Sequence, residues 1–384
     1  MRIGVPKEMK GDDHRVAVTP EGVGQLVRDR HTVCVQRGAG LGSGFEDVDY
    51  QARGAQTVGA EEAWDAGLVV KVMAPTEAEY GYLRDQMLFT FLHLSGATPT
   101  LTDALLAAGT CAIGYETVED AFGQLPLLAP MSAIAGNMAT LMGAFHLAQF
   151  NGGRGVHVGQ VLGRRHGQVL IIGDGVVGRH AARTAIALGA EAMLAGRHPE
   201  RTPDLRHEVG EPLLYLGSTA TNLARAVRKA DIVIGCVMER GARAPWVVTE
   251  EMVTHMRRGA VILDVSIDQG GCVETSRPTT HQQPVFTHHG VLHYCVTNMP
   301  SAYPQTATLA LTAATFPYVE ALANLGLDAF SVDPGLARGL QTRGGYVTNE
   351  AVADNLGLRS AFRVDPAISA EPETSRMWLG GGAV

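Results

Sequence analysis

The sequence contains few cysteines. Five of its 384 residues are cysteine, scattered along the chain at Cys34, Cys111, Cys236, Cys272 and Cys295. They lack the close spacing of zinc ligands and the density of a small disulfide-bonded scaffold. We therefore expect reduced thiols and no metal site.

Long apolar runs are also missing, although 46% of the residues are hydrophobic. A helix needs about 20 consecutive apolar residues to span a bilayer, and no stretch approaches that length. The opening segment Met-Arg-Ile-Gly-Val-Pro-Lys is typical of a strand running into a turn, and it lacks the charged and then apolar blocks of a signal peptide. We expect a cytoplasmic protein without a membrane partner.

The chain has no excess of positive charge. Its 31 lysines and arginines are outnumbered by 39 aspartates and glutamates, and the formal net charge is -8. Because binding to nucleic-acid phosphates requires a concentrated basic surface, we expect no nucleic-acid partner and a small-molecule substrate instead. The basic cluster at 154–165 is interpreted as a solvated loop. With 46 glycines and a length beyond one hydrophobic core, the composition fits a two-domain α/β enzyme.

Short β-rich runs alternate with helical patterns, which predicts parallel sheets flanked by helices. Predicted strands in the first part of the chain lie at 2–5, 32–35, 68–72, 88–92 and 111–115. A helix at about 131–148 leads into a second region, with strands at 168–172, 232–237, 261–265 and 292–296. A helix at 309–325 then returns the chain to the first domain, and a loose polar tail begins at about Val364.

This organisation predicts the α/β class, with two doubly wound Rossmann-like domains. The cofactor domain, residues 127–303, is inserted into a discontinuous substrate domain made of residues 1–126 and 304–384. The insertion follows from the two long predicted helices, because one leaves the first domain and the other returns to it.

A cofactor motif follows the predicted strand at 168–172. The run Gly173-Asp-Gly175-Val176-Val177-Gly178 has the spacing Gly-x-Gly-x-x-Gly, between an apolar strand and an amphipathic helix. Gly173 permits a tight turn, Gly175 lets the backbone approach a pyrophosphate, and Gly178 allows close packing of helix on strand. The helix N-terminus, at Val176 and Val177, supplies N–H groups and a positive dipole to the phosphates. The motif therefore predicts a dinucleotide site.

A second glycine-rich stretch, residues 38–44, leads to the acidic turn at 46–49 and not to a helix start. We interpret it as a structural loop. Within the cofactor motif, Asp174 places a carboxylate close to the expected pyrophosphate. Either its side chain points to solvent, or it weakens cofactor binding.

The end of the next strand bears on which nicotinamide cofactor is preferred. About 20 residues after the glycines, NAD enzymes carry an acidic residue that accepts hydrogen bonds from the adenosine ribose. Here the sequence is Ala195-Gly196-Arg197-His198. Without a carboxylate nothing repels a 2'-phosphate, and Arg197, with His198 or Arg201, is placed to pair with it. We predict a preference for NADP(H); the alternative is an exposed Arg197 that tolerates NAD(H).

Eight short segments of the chain are distinctive in combination. They are RIGVPKE (2–8), RVAVTP (15–20), FTFLHL (89–94), YETV (115–118), LPLLAPMS (125–132), DQGGC (268–272), ETSRPTTH (274–281) and NMP (298–300). Together they resemble the alanine dehydrogenase family over residues 1–363 and, more distantly, the cofactor-binding portion of proton-translocating transhydrogenase. Members of that family interconvert L-alanine with pyruvate and ammonia using NAD, usually as hexamers. The resemblance implies an oxidoreductase that transfers hydride at an amino-acid or imine carbon, as a homo-oligomer.

The resemblance assigns three residues to the substrate chemistry. Arg15 matches the family's carboxylate-binding arginine, whose planar fork suits a carboxylate; a surface salt bridge is the alternative. His93 matches the family's catalytic histidine, whose imidazole donates to or protonates the substrate carbonyl; a packed core histidine is the alternative. Asp268 matches the active-site aspartate that orients water or ammonia and relays protons, with a turn-capping aspartate as the alternative. Positions that match the lining of the nicotinamide are Ser132, Asn298 and Met299.

The chain departs from the family at the substrate site. A lysine that grips the substrate in a Lys-Val-Lys-Glu-Pro segment is replaced by Met73, whose thioether carries no charge and donates no hydrogen bond. The segments at 131–137 and 238–240 differ as well, which indicates a rebuilt pocket. We therefore expect an amino-acid or imine substrate other than alanine. The alternatives are an ordinary alanine dehydrogenase, in which Lys71 or another group replaces the lost lysine, and a catalytically weak nucleotide-binding protein.

Overall fold

The computed structural model describes residues 1–11, 13–94, 99–239 and 243–366. It divides into two compact units. We call Met1–Pro130 together with the described residues from Tyr303 onward the split unit, and Met131–Ala302 the inserted unit. The predicted domain boundaries differ from these divisions by a few residues. Most of the predicted tail, and Arg240 of the altered segment at 238–240, lie outside the described residues.

The helices and strands follow one another in this order. Before the insertion come β1 (Arg2–Val5), α1 (Pro20–Arg28), β2 (Thr32–Gln36), α2 (Asp47–Ala52), β3 (Gln56–Val58), α3 (Ala60–Trp64), β4 (Leu68–Met73), β5 (Met87–Phe91), α4 (Pro99–Ala108) and β6 (Cys111–Gly114). The inserted unit starts within α5 (Ala129–His146) and continues with β7 (Gly159–Val161), β8 (Arg164–His166), β9 (Gln168–Ile172), α6 (Val176–Ala187), β10 (Glu191–Gly196), α7 (Thr202–Val209), β11 (Leu214–Gly217), α8 (Ala220–Lys229), β12 (Ile232–Gly235), α9 (Glu250–Thr254), β13 (Val261–Asp264), β14 (Val285–His288) and β15 (Val291–Tyr294). The chain returns through α10 (Pro304–Leu325), α11 (Ala329–Val332), α12 (Pro334–Ala337), β16 (Leu340–Arg343), β17 (Tyr346–Val347) and α13 (Glu350–Asn355).

The split unit is built on an eight-stranded sheet with the order β17-β16-β6-β5-β4-β1-β2-β3. Strands β1 to β6 pair in parallel, whereas β16 and β17 join antiparallel beside β6. Strands β4, β5 and β6 are buried along their whole length, as expected of parallel strands covered on both faces. The strand order reverses between β1 and β4, and ligands of such sheets bind beyond the carboxyl ends at that point.

The inserted unit has a seven-stranded sheet with the order β11-β10-β9-β12-β13-β15-β14, in which only β14 pairs antiparallel. This is the Rossmann strand order, and its reversal lies between β9 and β12. Residues of α5, α6 and α7 pack on one face, and residues of α8 and α9 pack on the other. The predicted class of doubly wound, Rossmann-like α/β domains is confirmed.

The strands that were not predicted are short or lie at sheet edges. Strand β16, with the sequence Leu-Gln-Thr-Arg, offers too few apolar residues for a period-two pattern to be recognised. Helix α10 starts five positions before the predicted residue 309, because Pro304 occupies its first turn with a preset φ angle. In the described part of the chain, no helix combines the length and apolar character needed to cross a membrane.

Candidate active site and cofactor site

Arg15, the predicted carboxylate ligand, forms its salt bridge inside the split unit and not on the surface. Its side chain is 1% exposed, and that of its partner Asp13 is 0% exposed. The guanidinium donates from Nε to Asp13 Oδ1 at 2.9 Å and from Nη2 to Asp13 Oδ2 at 2.5 Å. A bidentate pair of this kind fixes the plane of the guanidinium. Asp13 therefore orients Arg15.

A cavity of about 360 Å³ lies beside Arg15. Glu8, His14 and several residues of the stretch 38–42 contribute to its walls. Gly42 approaches His14 so closely that a Cβ atom on Gly42 would overlap the His14 side chain. The stretch interpreted as a structural loop thus also forms a wall of this cavity. The volume falls at the lower end of the range of small-molecule sites, roughly 300–1,000 Å³.

Lys71, the lysine that remains beside the altered position, is enclosed by two carboxylates. Its side chain is 0% exposed, and Nζ lies 2.9 Å from Glu79 Oε1 and 3.3 Å from Glu8 Oε2. Burial by itself lowers the pKa of Lys71, but attraction to the two carboxylates outweighs burial and raises that pKa above its ordinary value. Lys71 is a cation whose charge is already matched inside the protein. This arrangement does not favour Lys71 as a replacement for the missing substrate lysine.

Met73 occupies the last position of β4, where the family carries its second lysine. The Glu8 carboxylate accepts hydrogen bonds from the backbone N–H groups of Val72 at 2.6 Å and Met73 at 3.3 Å. The Met73 side chain is 7% exposed. Burial raises the pKa of Glu8, against the opposing attraction of Lys71. Glu8 therefore joins the carboxyl ends of β1 and β4, beside an apolar and nearly enclosed side chain.

His93 follows β5 and is exposed, so it is not a packed core histidine. Its φ angle is 51°, a left-handed conformation that is uncommon outside glycine and found at functional sites. The backbone N–H of His93 donates to Glu116 Oε1 at 2.6 Å. Its imidazole stacks on the ring of Phe91, with centroids 5.6 Å apart and planes at 1°. These contacts hold an accessible imidazole at the carboxyl end of β5.

In the inserted unit, Asp268 and Asn298 contact each other directly. The Asn298 N–H donates to both carboxylate oxygens of Asp268, each at 3.1 Å. Asn298 also has a left-handed backbone, with φ of 51°. Asp268 is exposed, whereas the adjoining Met299 is 3% exposed. The two hydrogen bonds bring together predicted site residues from distant segments and leave the Asp268 carboxylate accessible.

A buried aspartate that was not predicted holds the loop after Asp268. Asp264, the last residue of β13, is 0% exposed and accepts hydrogen bonds from the N–H groups of Cys272 and Val273, each at 3.0 Å. A Cβ atom on Gly271, where φ is 76°, would lie 2.8 Å from Asp264 Oδ2. Burial raises the pKa of Asp264, although hydrogen bonds from the loop oppose that rise. The loop therefore folds around Asp264.

The glycine-rich turn has the geometry of a dinucleotide site. A Cβ atom on Gly173, where φ is 118°, would lie 2.6 Å from the carbonyl oxygen of Cys236. A Cβ atom on Gly178 would overlap the carbonyl oxygen of Gly173, so α6 packs directly on the turn. A Cβ atom on Gly175, by contrast, meets no described atom within 4 Å. The middle glycine thus faces open space, where a phosphate has room to approach.

The start of α6 presents backbone donors at that turn. Gly175 is the N-cap of the helix, and the N–H groups of Val176 and Val177 lie in its first turn, where an α-helix has no internal acceptors. A Cβ atom on Gly136 would overlap the carbonyl oxygen of Val177, so α5 crosses α6 at this point. Ser132 precedes Gly136 by about one helical turn of α5. These donors and the helix dipole fit a pyrophosphate.

Asp174 turns toward the end of β10 and is half-buried. Its Oδ2 accepts a hydrogen bond from the Tyr215 hydroxyl at 3.0 Å, and that hydroxyl accepts one from the His198 N–H at 3.1 Å. A Cβ atom on Gly196, the last residue of β10, would lie 2.6 Å from Asp174 Oδ2. Burial, with a contribution from Asp174, raises the pKa of Tyr215 to about 12, so the phenol keeps its proton. Arg197, next along the chain, is exposed.

One group of side chains in the described residues has spacing suitable for a metal ion. Ligand atoms of Glu250, His288 and His289 lie within 4.8 Å of one another at the turn between β14 and β15. Glu250 Oε1 is 3.1 Å from His288 Nε2 and 2.8 Å from His289 Nε2. Hydrogen bonds from His289 and His288 lower the pKa of Glu250. The expectation that no metal is bound stays a prediction.

The structure brings the predicted residues into separate groups. In the split unit, Met73 is the last residue of β4, while Arg15 and His93 come after β1 and β5. In the inserted unit, Asp268 contacts Asn298, while Arg197 follows the strand next to the glycine-rich turn. The residues that were not predicted are charged or polar partners of these: Glu8, Asp13, Glu79, Glu116, Tyr215 and Asp264. Glu8 and Glu116 lie within the distinctive sequence segments, which was the available indication for them.

Comparisons with known proteins agree with this arrangement. The family model described as alanine dehydrogenase/PNT, N-terminal domain matches residues 4–135, and that of the C-terminal domain matches residues 139–350. The alanine dehydrogenase of Mycobacterium tuberculosis (strain ATCC 25618 / H37Rv) is 49% identical over 362 residues, which are 93% of this chain and 97% of that protein. The chain belongs to the alanine dehydrogenase/PNT family.

Further relatives support membership of the alanine dehydrogenase/PNT family. The alanine dehydrogenase of Bacillus subtilis (strain 168) is 48% identical over 361 residues, covering 93% of this chain and 95% of that protein. A solved structure of an L-alanine dehydrogenase matches with a TM-score of 0.88 at 46% identity, over 93% of this chain and 99% of that one. The resemblance seen in the sequence is confirmed. The chain is an alanine dehydrogenase-like, nicotinamide-dependent oxidoreductase.

Proposed function

We propose that the protein oxidises an L-amino acid to its 2-oxo acid and ammonia and catalyses the reverse reductive amination, with alanine and pyruvate as the first pair to test. The observation that carries the proposal is the buried Arg15–Asp13 pair on the wall of a cavity. A guanidinium held in one plane suits a small carboxylate. The relatives named alanine dehydrogenase support the choice of alanine, because they match 93% of this chain.

Each site residue has a role in this reaction. Arg15 binds the substrate carboxylate in the cavity that it lines. His93 donates a proton to the carbonyl oxygen during reductive amination and takes it back during oxidation, a task for which an accessible imidazole is suited at neutral pH. Asp268 orients the water that attacks the imine carbon, or ammonia in the reverse direction, and relays its proton.

The inserted unit holds the cofactor in this proposal. The N–H groups at the start of α6 bind the pyrophosphate beside Gly175, where the backbone is open. We infer that Asn298 and Met299 line the nicotinamide together with Ser132, because the short segments that contain them resemble those of the family. When bound there, the nicotinamide would supply the acceptor for the hydride that leaves the substrate Cα.

A substrate other than alanine is a second candidate, and the surroundings of Met73 favour it. The position where the family carries a substrate-binding lysine is apolar and 7% exposed. The neighbouring Lys71 is committed to Glu8 and Glu79 inside the protein. With one cation fewer, the site holds a carboxylate less firmly and leaves more room for a bulkier apolar group.

The absorbance of reduced nicotinamide tests the proposal directly. Purified protein is mixed with pyruvate, ammonia and either NADH or NADPH, and then with bulkier 2-oxo acids and imines. We expect rapid consumption with pyruvate, and a loss in kcat of about 100-fold or more in His93→Asn. The exposed histidine His255 gives a matched control, because His255→Asn leaves the site intact.

The other outcomes separate the remaining functions. Turnover confined to bulkier oxo acids or imines contradicts the alanine assignment and supports the second candidate. Saturable nucleotide binding without turnover of any amino acid, oxo acid or imine contradicts the proposed activity. That result favours a nucleotide-binding protein that acts as a sensor or as a partner subunit.

A further inference from the structure

The end of β10 is where Rossmann enzymes specific for NAD carry the acidic residue that binds the adenosine ribose. This chain has Gly196 there, and a side chain at that position is sterically excluded. A Cβ atom on Gly196 would lie 2.6 Å from Asp174 Oδ2 and 2.7 Å from its Cγ, and it would overlap the Tyr215 hydroxyl. The space that a strand-end acid would enter is therefore filled by the carboxylate of Asp174.

The Asp174 carboxylate is held in place by a partner. The Tyr215 hydroxyl donates to Oδ2 at 3.0 Å and is itself positioned by the His198 N–H at 3.1 Å. No other hydrogen bond of Asp174 is found among the described residues, so Oδ1 keeps its capacity to accept. A fixed carboxylate with an unused oxygen is the feature that a ribose diol requires.

We propose that Asp174 replaces the strand-end acid: it accepts hydrogen bonds from the adenosine ribose hydroxyls, repels a 2'-phosphate, and so makes the protein selective for NAD(H). Gly196 is the matching change, because it leaves room for the Asp174 side chain. Tyr215 is a positioning residue that acts through Asp174. The inference rests on the proposed function only in requiring a nicotinamide dinucleotide at the glycine-rich turn.

The proposal reverses the preference for NADP(H) predicted from residues 195–198. That prediction depended on the absence of a carboxylate at the ribose and on the charge of Arg197. Arg197 is exposed, where water and salt screen its attraction to a phosphate. Asp174 is half-buried and held by Tyr215, so its repulsion of a second negative charge is screened less.

Equilibrium titration with NADH and NADPH, without any amino acid, tests the inference apart from catalysis. Fluorescence of the reduced nicotinamide gives the two dissociation constants. We expect the wild type to bind NADH more tightly, and Asp174→Ala to lower the NADH:NADPH affinity ratio by roughly tenfold or more, since a hydrogen bond to a charged group is lost. Glu191→Ala removes an exposed carboxylate at the opposite end of β10 and is expected to leave the ratio unchanged.

The triple variant Asp174→Ala, Gly196→Asp, Tyr215→Phe moves the carboxylate back to the strand end and removes the hydroxyl that a Cβ atom on Gly196 would overlap, and we expect it to recover the selectivity for NADH. Its recovery also shows that the loss in Asp174→Ala is not a folding defect. A wild type that prefers NADPH overturns the proposal, as does an unchanged ratio in Asp174→Ala or a larger change in Arg197→Ala. NADH-selective binding without amino-acid turnover upholds this inference while contradicting the proposed function.

Discussion

The parallel strands of the split unit and of the inserted unit follow the same order, yet different kinds of residue lie at the points where that order reverses. At the carboxyl ends of β1 and β4, buried charges meet: Lys71 is matched by Glu8 and Glu79. At the ends of β9 and β12, Gly173 allows the turn to approach the carbonyl oxygen of Cys236. In the proposed function, the substrate carboxylate is bound by a fixed side-chain charge, that of Arg15, whereas the pyrophosphate is bound by open backbone. The difference between the two units agrees with these two proposed ligands.

The largest expected effect comes from removing the central charge of the split unit. Lys71→Met leaves Glu8 and Glu79 buried without a cation, and breaking a buried ion pair costs about 3–5 kcal/mol. We expect a loss of that size in the free energy of unfolding, measured by urea titration. The exposed Lys10 supplies the control, and Lys10→Met should change stability little. A Lys71→Met protein as stable as the wild type contradicts the role given to these charges.

Lowering the pH tests whether the stability of the inserted unit depends on a buried, neutral His293. Burial lowers the pKa of His293 to about 4, from an unfolded value near 6.5. Between these pH values the unfolded state binds more protons, so the stability from this group is complete above about pH 6.5 and is lost as the pH falls toward 4. As the pH falls from about 6.5 to 4, we expect the free energy of unfolding to decrease by up to about 3 kcal/mol more in the wild type than in His293→Gln. An equal acid sensitivity in both proteins excludes this role, with the exposed His255→Gln as a control.

Alanine substitutions at two glycines of the glycine-rich turn should separate an effect on packing from an effect on cofactor binding. An alanine at Gly178 meets the carbonyl oxygen of Gly173, and we expect overpacking to lower stability by about 1–3 kcal/mol. An alanine at Gly175 meets nothing, so stability should hold while NADH affinity falls because the added methyl obstructs the phosphate. Thermal unfolding and NADH titration of the two variants check this contrast. Equal losses of stability refute it.

The smallest expected effect concerns position 73, and it tests whether the missing cation there limits kcat/KM for alanine. Met73→Lys returns an ammonium group to the end of β4, and we expect kcat/KM for alanine to rise by about tenfold, equivalent to roughly 1.4 kcal/mol. Met73→Gln provides a matched control of similar length without a charge. Steady-state rates with alanine and with a bulkier amino acid measure the change. An equal rise in Met73→Gln shows that charge is not the cause.

Much of the fold was predictable because its signals are local. The predicted strands 2–5 and 168–172 have the observed bounds, since each is an apolar run followed by a turn. Strand β16 was missed because pairing with β6, and not its own composition, makes it a strand. Arg15, His93 and Asp268 were identified by resemblance, and the structure adds where they lie.

The prediction of cofactor preference shows what is missed when only a short stretch of sequence is considered. Residues 195–198 contain no carboxylate, and the inference for NADP(H) followed from that window alone. Asp174 precedes Gly196 by 22 positions and comes to it through the pairing of β9 with β10. A contact of this kind depends on side-chain direction in the folded sheet.

The sequence by itself determined the α/β class, the dinucleotide turn and the family, because each depends on residue types at short, regular spacing. Tertiary structure decided what each charge does. Lys71 could be seen as a candidate substrate ligand until Glu8 and Glu79 were found around it, and Asp174 as a liability until it was found beside Gly196. The physical reason is that the effect of a charge depends on its burial and on its neighbours, and folding brings those neighbours from distant parts of the chain.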